Sequence, residues 1–149
     1  MSLRPMLRGM FALALMLSLD LQGAPQTVTV YKLSSCGCCK SWVNHLKANG
    51  FQVTARDVPS TSEYRRKYGV PDALQSCHTA IVGGYTIEGH VPAAEILRLL
   101  KERPKAKGLA VAGMPLGSPG MEASRRDSYN VVLFDAAGRS EIYHRYPGN

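Results

Sequence analysis

The stretch "TVTVYKLSSCGCCKSWVNHLKANG", residues 27–50, changes its hydrophobic period halfway along. Thr27 to Leu33 are mostly β-branched, aromatic or apolar, the composition of a buried first strand. From Cys39 the period lengthens. Cys39, Val43 and Leu46 recur at helical spacing, and Gly50 stands where a helix would stop. Between strand and helix lie Cys36, Cys38 and Cys39, three of the four cysteines in the chain.

Working outward, "FQVTARDV" (residues 51–58) predicts a second strand, and "SEYRRKYGV" (62–70) a short helix ending before Pro71. "TAIVGGYTIEGH" (79–90) predicts two short strands about a Gly83-Gly84 turn. Pro92 opens a helix through "PAAEILRLLKERP" (92–104), with Ile96, Leu97, Leu99 and Leu100 as its apolar face. "GLAVAGMPLGSPGME" (108–122) is expected to be a loop. "YNVVLFD" (129–135) and "SEIYHRY" (140–146) are expected to pair around "AAGR" as an appended C-terminal β-hairpin.

The order β-α-β-α-β-β-α, with C-x-x-C spacing from Cys36 to Cys39 between the first strand and helix, is that of an α/β, thioredoxin-like domain. A central mixed sheet flanked by helices is expected over residues 25–149. Residues 1–24 are set apart. Arg4 and Arg8, an apolar run from Met10 to Leu19, and the small Gly23 and Ala24 follow the three-part order of an export signal. The run is shorter than the roughly 20 residues that span a bilayer. A periplasmic protein without stable membrane insertion is therefore expected, an uncleaved anchor being the alternative.

The chain carries a net charge of +7. Without Arg4, Arg8 and Asp20, 16 basic and 10 acidic residues remain, or +6. These charges are scattered, and no basic run is interleaved with stacking aromatics, which excludes a nucleic-acid binder. A solvated basic surface is the simpler account.

The cysteines carry the chemistry. At the start of a helix, unpaired N–H groups and the dipole stabilise thiolates, and Lys40 adds a cation. Such thiols suit disulfide exchange and metal binding equally. Cys77, in "QSCHTAIV" (75–82), enters the third strand, at the point where a thioredoxin-like chain faces the start of its first helix. Four converging thiolates are better explained as ligands than as a redox pair with two spare thiols. Soft thiolates suit Cu(I) and also Zn(II). The adjacent pair Cys38-Cys39 fits poorly at two corners of one zinc tetrahedron, whereas Cu(I) accepts low coordination and bridging thiolates. Several copper ions are expected, with zinc the weaker candidate. The competing function is a thiol-disulfide or copper-linked oxidoreductase, with Cys36 as attacking and Cys39 as resolving thiol. Two structural disulfides are disfavoured, because near-adjacent cysteines pair poorly and a core of this size needs no staple.

Three segments, "CGCCKSWVNHLKANGFQV" (36–53), "SCHTAIVGGYTIEGHVPA" (76–93) and "GMPLGSPGME" (113–122), closely resemble the CopG family of periplasmic copper-resistance proteins. The resemblance runs from about Thr27 to Phe134. It implies a thioredoxin-like fold around a cysteine-bridged, multinuclear copper cluster, with Cys36, Cys38, Cys39 and Cys77 as ligands. It also implies a copper exporter or periplasmic copper chaperone as partner. Ala112 departs from the pattern, since relatives tend to carry proline there; loop stiffness, not chemistry, should change.

Met114 and Met121 are candidates to cap or gate the cluster through soft thioethers, set against simple loop packing. His78 is a candidate ligand beside Cys77, set against a plain structural role. His90 is expected to help close the start of the following helix, a ligand role being the weaker alternative; His45 is expected to be solvated or capping, and His144 to carry no role. Trp42, one helical turn beyond Cys38, is expected to shield the sulfurs or pack the core. Glu88 and Glu122 are candidates for metal-site carboxylates or proton transfer, with a surface role the expectation for both.

Overall fold

The computed structural model describes residues 23–149; the expected export segment, apart from Gly23 and Ala24, lies outside the described residues. Seven strands form one mixed sheet. They are β1 (Thr27–Lys32), β2 (Gln52–Asp57), β3 (His78–Val82), β4 (Tyr85–Glu88), β5 (Gly108–Ala110), β6 (Tyr129–Phe134) and β7 (Ser140–Tyr146), in the spatial order β2-β1-β3-β4-β5-β6-β7. Helices α1 (Gly37–Ala48), α2 (Ser62–Lys67) and α3 (Ala93–Glu102) complete the domain, with a short 3₁₀ turn at Asp72–Leu74. No helix among the described residues is long and apolar enough to cross a membrane.

β1 runs parallel to β2 and antiparallel to β3, which pairs antiparallel with β4. β4 and β5 are parallel; β5 with β6 and β6 with β7 are antiparallel. Alternation along β1 sends Val28 and Val30 to one face and Tyr31 to the other. The first face receives Trp42, Val43 and Leu46 of α1 and Ile96 and Leu99 of α3. Each fully buried aliphatic side chain of this kind contributes roughly 1.5–3 kcal/mol. Tyr31 stacks on Tyr64 of α2 on the opposite face, ring centroids 4.1 Å apart. There a smaller cluster gathers Val70, Leu74, Ala110 and Phe134.

Two expectations need correction. Residues 108–110, read as loop, are β5, an interior strand between β4 and β6. Three residues are too few for alternation to declare itself, and Gly108 is a strand breaker by composition. It is tolerated because any Cβ at Gly108 would run into the Thr86 backbone. Leu97, assigned to the apolar face of α3, is 46% exposed, while Ile96 and Leu99 are fully buried. Four candidates spread over residues 96–100, more than a full turn, cannot all face one side.

The topology converges at one end of the sheet. Lys32 at the end of β1 lies opposite His78 at the start of β3, and Thr79 lies opposite Glu88 at the end of β4. The segments after β1, before β3, after β4 and after β5 therefore emerge together.

Candidate metal centre

Cys36 leaves β1 and caps α1, its sulfur accepting the N–H of Cys39 at 3.3 Å. Cys38 and Cys39 occupy the first helical turn, which holds no acidic residue. Cys77 arrives from the other side, immediately before β3. The four sulfurs lie within 4.8 Å of one another, and Cys36 and Cys38 are 3.4 Å apart. Cys36 and Cys39 are joined as a disulfide; Cys38 and Cys77 are free thiols. The expected convergence of Cys77 on the helix start is thus seen, with one pair closed. Among the described residues there is no cis peptide bond.

Cys77 differs electrically from a helix-start thiol. Burial, followed by the neighbouring Cys38, pushes its pKa up to about 12, so it stays a thiol until a cation displaces its proton. Around it stand two imidazoles. His78 Nδ1 lies 3.4 Å and His90 Nε2 3.1 Å from the Cys77 sulfur. Both rings are fully buried. Burial, helped by the nearby His90, lowers His78 to about 3, and burial also lowers His90. Both are therefore neutral, and lone pairs are available for a cation.

His90 corrects an expectation. It does not close α3. The N–H of Ala93 at that helix start is taken by His45 Nε2 at 3.0 Å, so His45 is the capping residue, reaching across from α1. His90 instead donates Nδ1–H to the carbonyl of Pro119 at 2.7 Å, which leaves Nε2 bare toward Cys77. Glu88 also departs from expectation, being fully buried. It accepts the N–H of Ser76 at 2.7 Å and the Thr79 hydroxyl at 2.6 Å, and stands 3.9 Å from the Arg65 guanidinium. Burial pushes its carboxyl up to about 7. Glu122 is exposed as expected and accepts the N–H of Gly120.

Trp42 packs in the core, one of its two expected roles. It is fully buried, donates Nε1–H to Val91 at 2.8 Å, and lies 4.3 Å from the His78 ring. The loop after β5 covers the remaining side. Gly113 donates its N–H to Gln75, and the Ser76 hydroxyl donates to the Gly113 carbonyl. Gly120, at φ +87°, comes so close to α1 that a Cβ would lie 2.8 Å from both the Cys38 carbonyl and the Trp42 nitrogen. Met114 is 50% exposed, and its sulfur sits 3.9 Å from that of Cys38. Met121 engages through its backbone, with Ser118 and Gly117. His144 lies on β7, 3.5 Å from Glu95 and away from the sulfurs.

Fold and donors together define a class: a mixed α/β domain with a cysteine-rich, metal-binding cluster at one end of its sheet. A family model described as "Protein of unknown function, DUF411" matches residues 74–121, which include Cys77, both buried histidines and both loop methionines. No curated protein matches the chain. Two solved structures do, "Copper resistance protein copG- Form 1" and "Form 2", each at 46% identity and TM-score 0.79 over 83% of this chain and 99% of theirs. The chain belongs to the CopG family of copper-resistance proteins.

Proposed function

We propose that this is an exported, thioredoxin-like protein that handles copper by holding several Cu(I) ions in a cysteine-bridged site. The observation that carries the proposal is the meeting of four cysteine sulfurs within 4.8 Å at the first turn of α1. Soft, crowded, bridging donors fit Cu(I) better than any hard cation. Each monovalent ion cancels one thiolate charge, which relieves the cost of burying several anions together. The names of the relatives agree with copper as the cargo. The order of elements and the pairing of β1 to β4 support the thioredoxin-like assignment, with β6 and β7 as its appended hairpin.

In this account residues 1–24 direct export to the periplasm. Copper arrives as cargo at the exposed thioether of Met114 and passes to Cys38 beside it. Full loading needs the Cys36–Cys39 disulfide reduced, since only thiolates ligate, and the proton of Cys77 leaves as the ion enters. Trp42 and the Gly120 loop keep water from the inner side. A copper exporter or periplasmic chaperone supplies or receives the ions.

Replacing Cys77 with serine tests the proposal. The variant should lose most Cu(I) capacity under anaerobic, reduced conditions while remaining folded. Unchanged copper capacity, or robust thiol-exchange turnover surviving Cys77→Ser, would instead favour an exchange enzyme built on Cys36 and Cys39.

A further inference from the structure

Cations that are scattered along the sequence are gathered by the fold at the end of the sheet away from the cysteines. We propose that this end is a docking surface for an anionic lipid bilayer, which it meets at headgroup level without inserting.

The strand register defines the surface. β1 and β2 begin, β3 ends, β4 and β5 begin, β6 ends and β7 begins at one end of the sheet, and Cys77, directly before β3, lies at the other. The last turn of α1 brings Lys47 to this end, and the last turn of α3 brings Lys101. Arg103 caps α3, Lys105 and Lys107 follow in the loop to β5, and Arg139 stands in the β6–β7 turn. α2 ends beside them with Arg66 and Lys67, and a Cβ on the nearby Gly69 would lie 3.3 Å from Lys107 Cε. Eight of the sixteen cations in residues 25–149 thus meet here, with three of the ten carboxylates, Glu102, Asp135 and Glu141. Arg98 engages Glu102 and Arg139 engages Asp135. Arg139 is the only one of the eight in an ion pair among the described residues.

Cations in the last turn of a helix offset its negative pole, which accounts for Lys47, Lys101, Arg66 and Lys67. It does not account for Lys105 and Lys107 in a loop. The exposed large apolar side chains, Leu33, Leu97, Met114 and Ile142, all lie outside the connections at this end, so the contact is electrostatic. The position of the chain favours lipid over an acidic protein. Residues 23–26 lead into β1 at this same end. The sequence before them carries Arg4, Arg8 and the apolar run Met10 to Leu19, so the segment read as an export leader attaches beside the cations. A bilayer here serves both features, and it leaves Cys38, Cys77 and Met114 facing away from the membrane. The proposal does not depend on what the cysteines bind.

The test uses residues 25–149, the folded domain without the leader, and sedimentation with lipid vesicles. Phosphatidylcholine vesicles with about 30% phosphatidylglycerol should bind it at low ionic strength, and about 0.5 M salt should release it. Pure phosphatidylcholine should not bind it. Lys105→Glu combined with Lys107→Glu should weaken partitioning at least about twenty-fivefold, roughly fivefold for each cation lost. Arg125→Glu combined with Arg145→Glu makes the same change of net charge toward the other end of the sheet, and should weaken it by less than about fivefold. On vesicles, wild-type amide hydrogen exchange should slow in residues 103–107 and 135–139 and stay unchanged in 113–122, which locates the contact without any variant. No binding to anionic vesicles, equal losses in the two double variants, or protection over 113–122 instead would overturn the proposal. Binding to polyglutamate where anionic vesicles fail would also overturn it, and would assign this end to an acidic protein.

Discussion

Glu88 accepts the backbone N–H of Ser76 at 2.7 Å, so a fully buried carboxyl holds the residue directly before Cys77. The same carboxyl takes the Thr79 hydroxyl just after it. One side chain at the end of β4 thus brackets the cysteine entering β3, and the position of the Cys77 sulfur depends on it.

Glu88→Ala should therefore destabilise the apo-protein by about 3 kcal/mol, since it strands a buried hydroxyl and a largely covered N–H, each costing roughly 1–3 kcal/mol. Glu88→Gln, which keeps an acceptor for Ser76, should cost less than half as much. Urea unfolding gives the stabilities. Copper release should also be faster in the alanine variant, because Cys77 loses its anchor.

Acid should weaken the junction of α1 with α3. His45 accepts the Ala93 N–H at 3.0 Å, and burial holds its imidazole below the ordinary histidine value of 6.5. A group whose pKa is depressed by folding contributes fully above its unfolded value, and that contribution is lost as pH falls through the folded one. Melting temperature of the apo-protein should drop between about pH 7 and about pH 5. His45→Leu should flatten part of that slope and lower stability at neutral pH by about 1 kcal/mol, the usual cost of a lost helix cap.

Met114 and Met121 should behave differently. Only Met114 places a half-exposed thioether 3.9 Å from Cys38. Met114→Leu keeps volume and apolarity, so stability should change by less than about 1.5 kcal/mol. Its rate of Cu(I) exchange with a small-molecule chelator should nonetheless fall severalfold. Met121→Leu should leave that rate near wild type, which stopped-flow ligand exchange can measure.

Much of this was legible in the residues. The change of period at Cys39, the Gly83-Gly84 turn and Pro92 place β1, α1, β3, β4 and α3 close to where they lie. The cysteine group was legible because strand order carries Cys77 to the start of α1. His90 was hidden only by the lack of a pairing register. A two-residue turn at Gly83-Gly84 pairs Val82 with Tyr85 and Thr79 with Glu88, and the same register extended outward sets Cys77 opposite His90. Composition gave no such help with Glu88, because carboxylates are usually exposed and its partners, a backbone N–H, a hydroxyl and Arg65, come from three separate positions. β5 escaped because three residues beginning with glycine show no period. The contact of Gly120 with α1 is a tertiary fact with no local signal beyond the glycine itself.

The central claim is that the four cysteines hold more than one Cu(I). Anaerobic titration of the fully reduced protein with Cu(I), followed by ultraviolet absorption and elemental analysis, tests it most directly. The account predicts sulfur-to-copper charge transfer that keeps growing beyond one ion per chain and saturates sharply. Saturation at a single Cu(I), with one tightly held Zn(II) competing for the same four sulfurs, would contradict it.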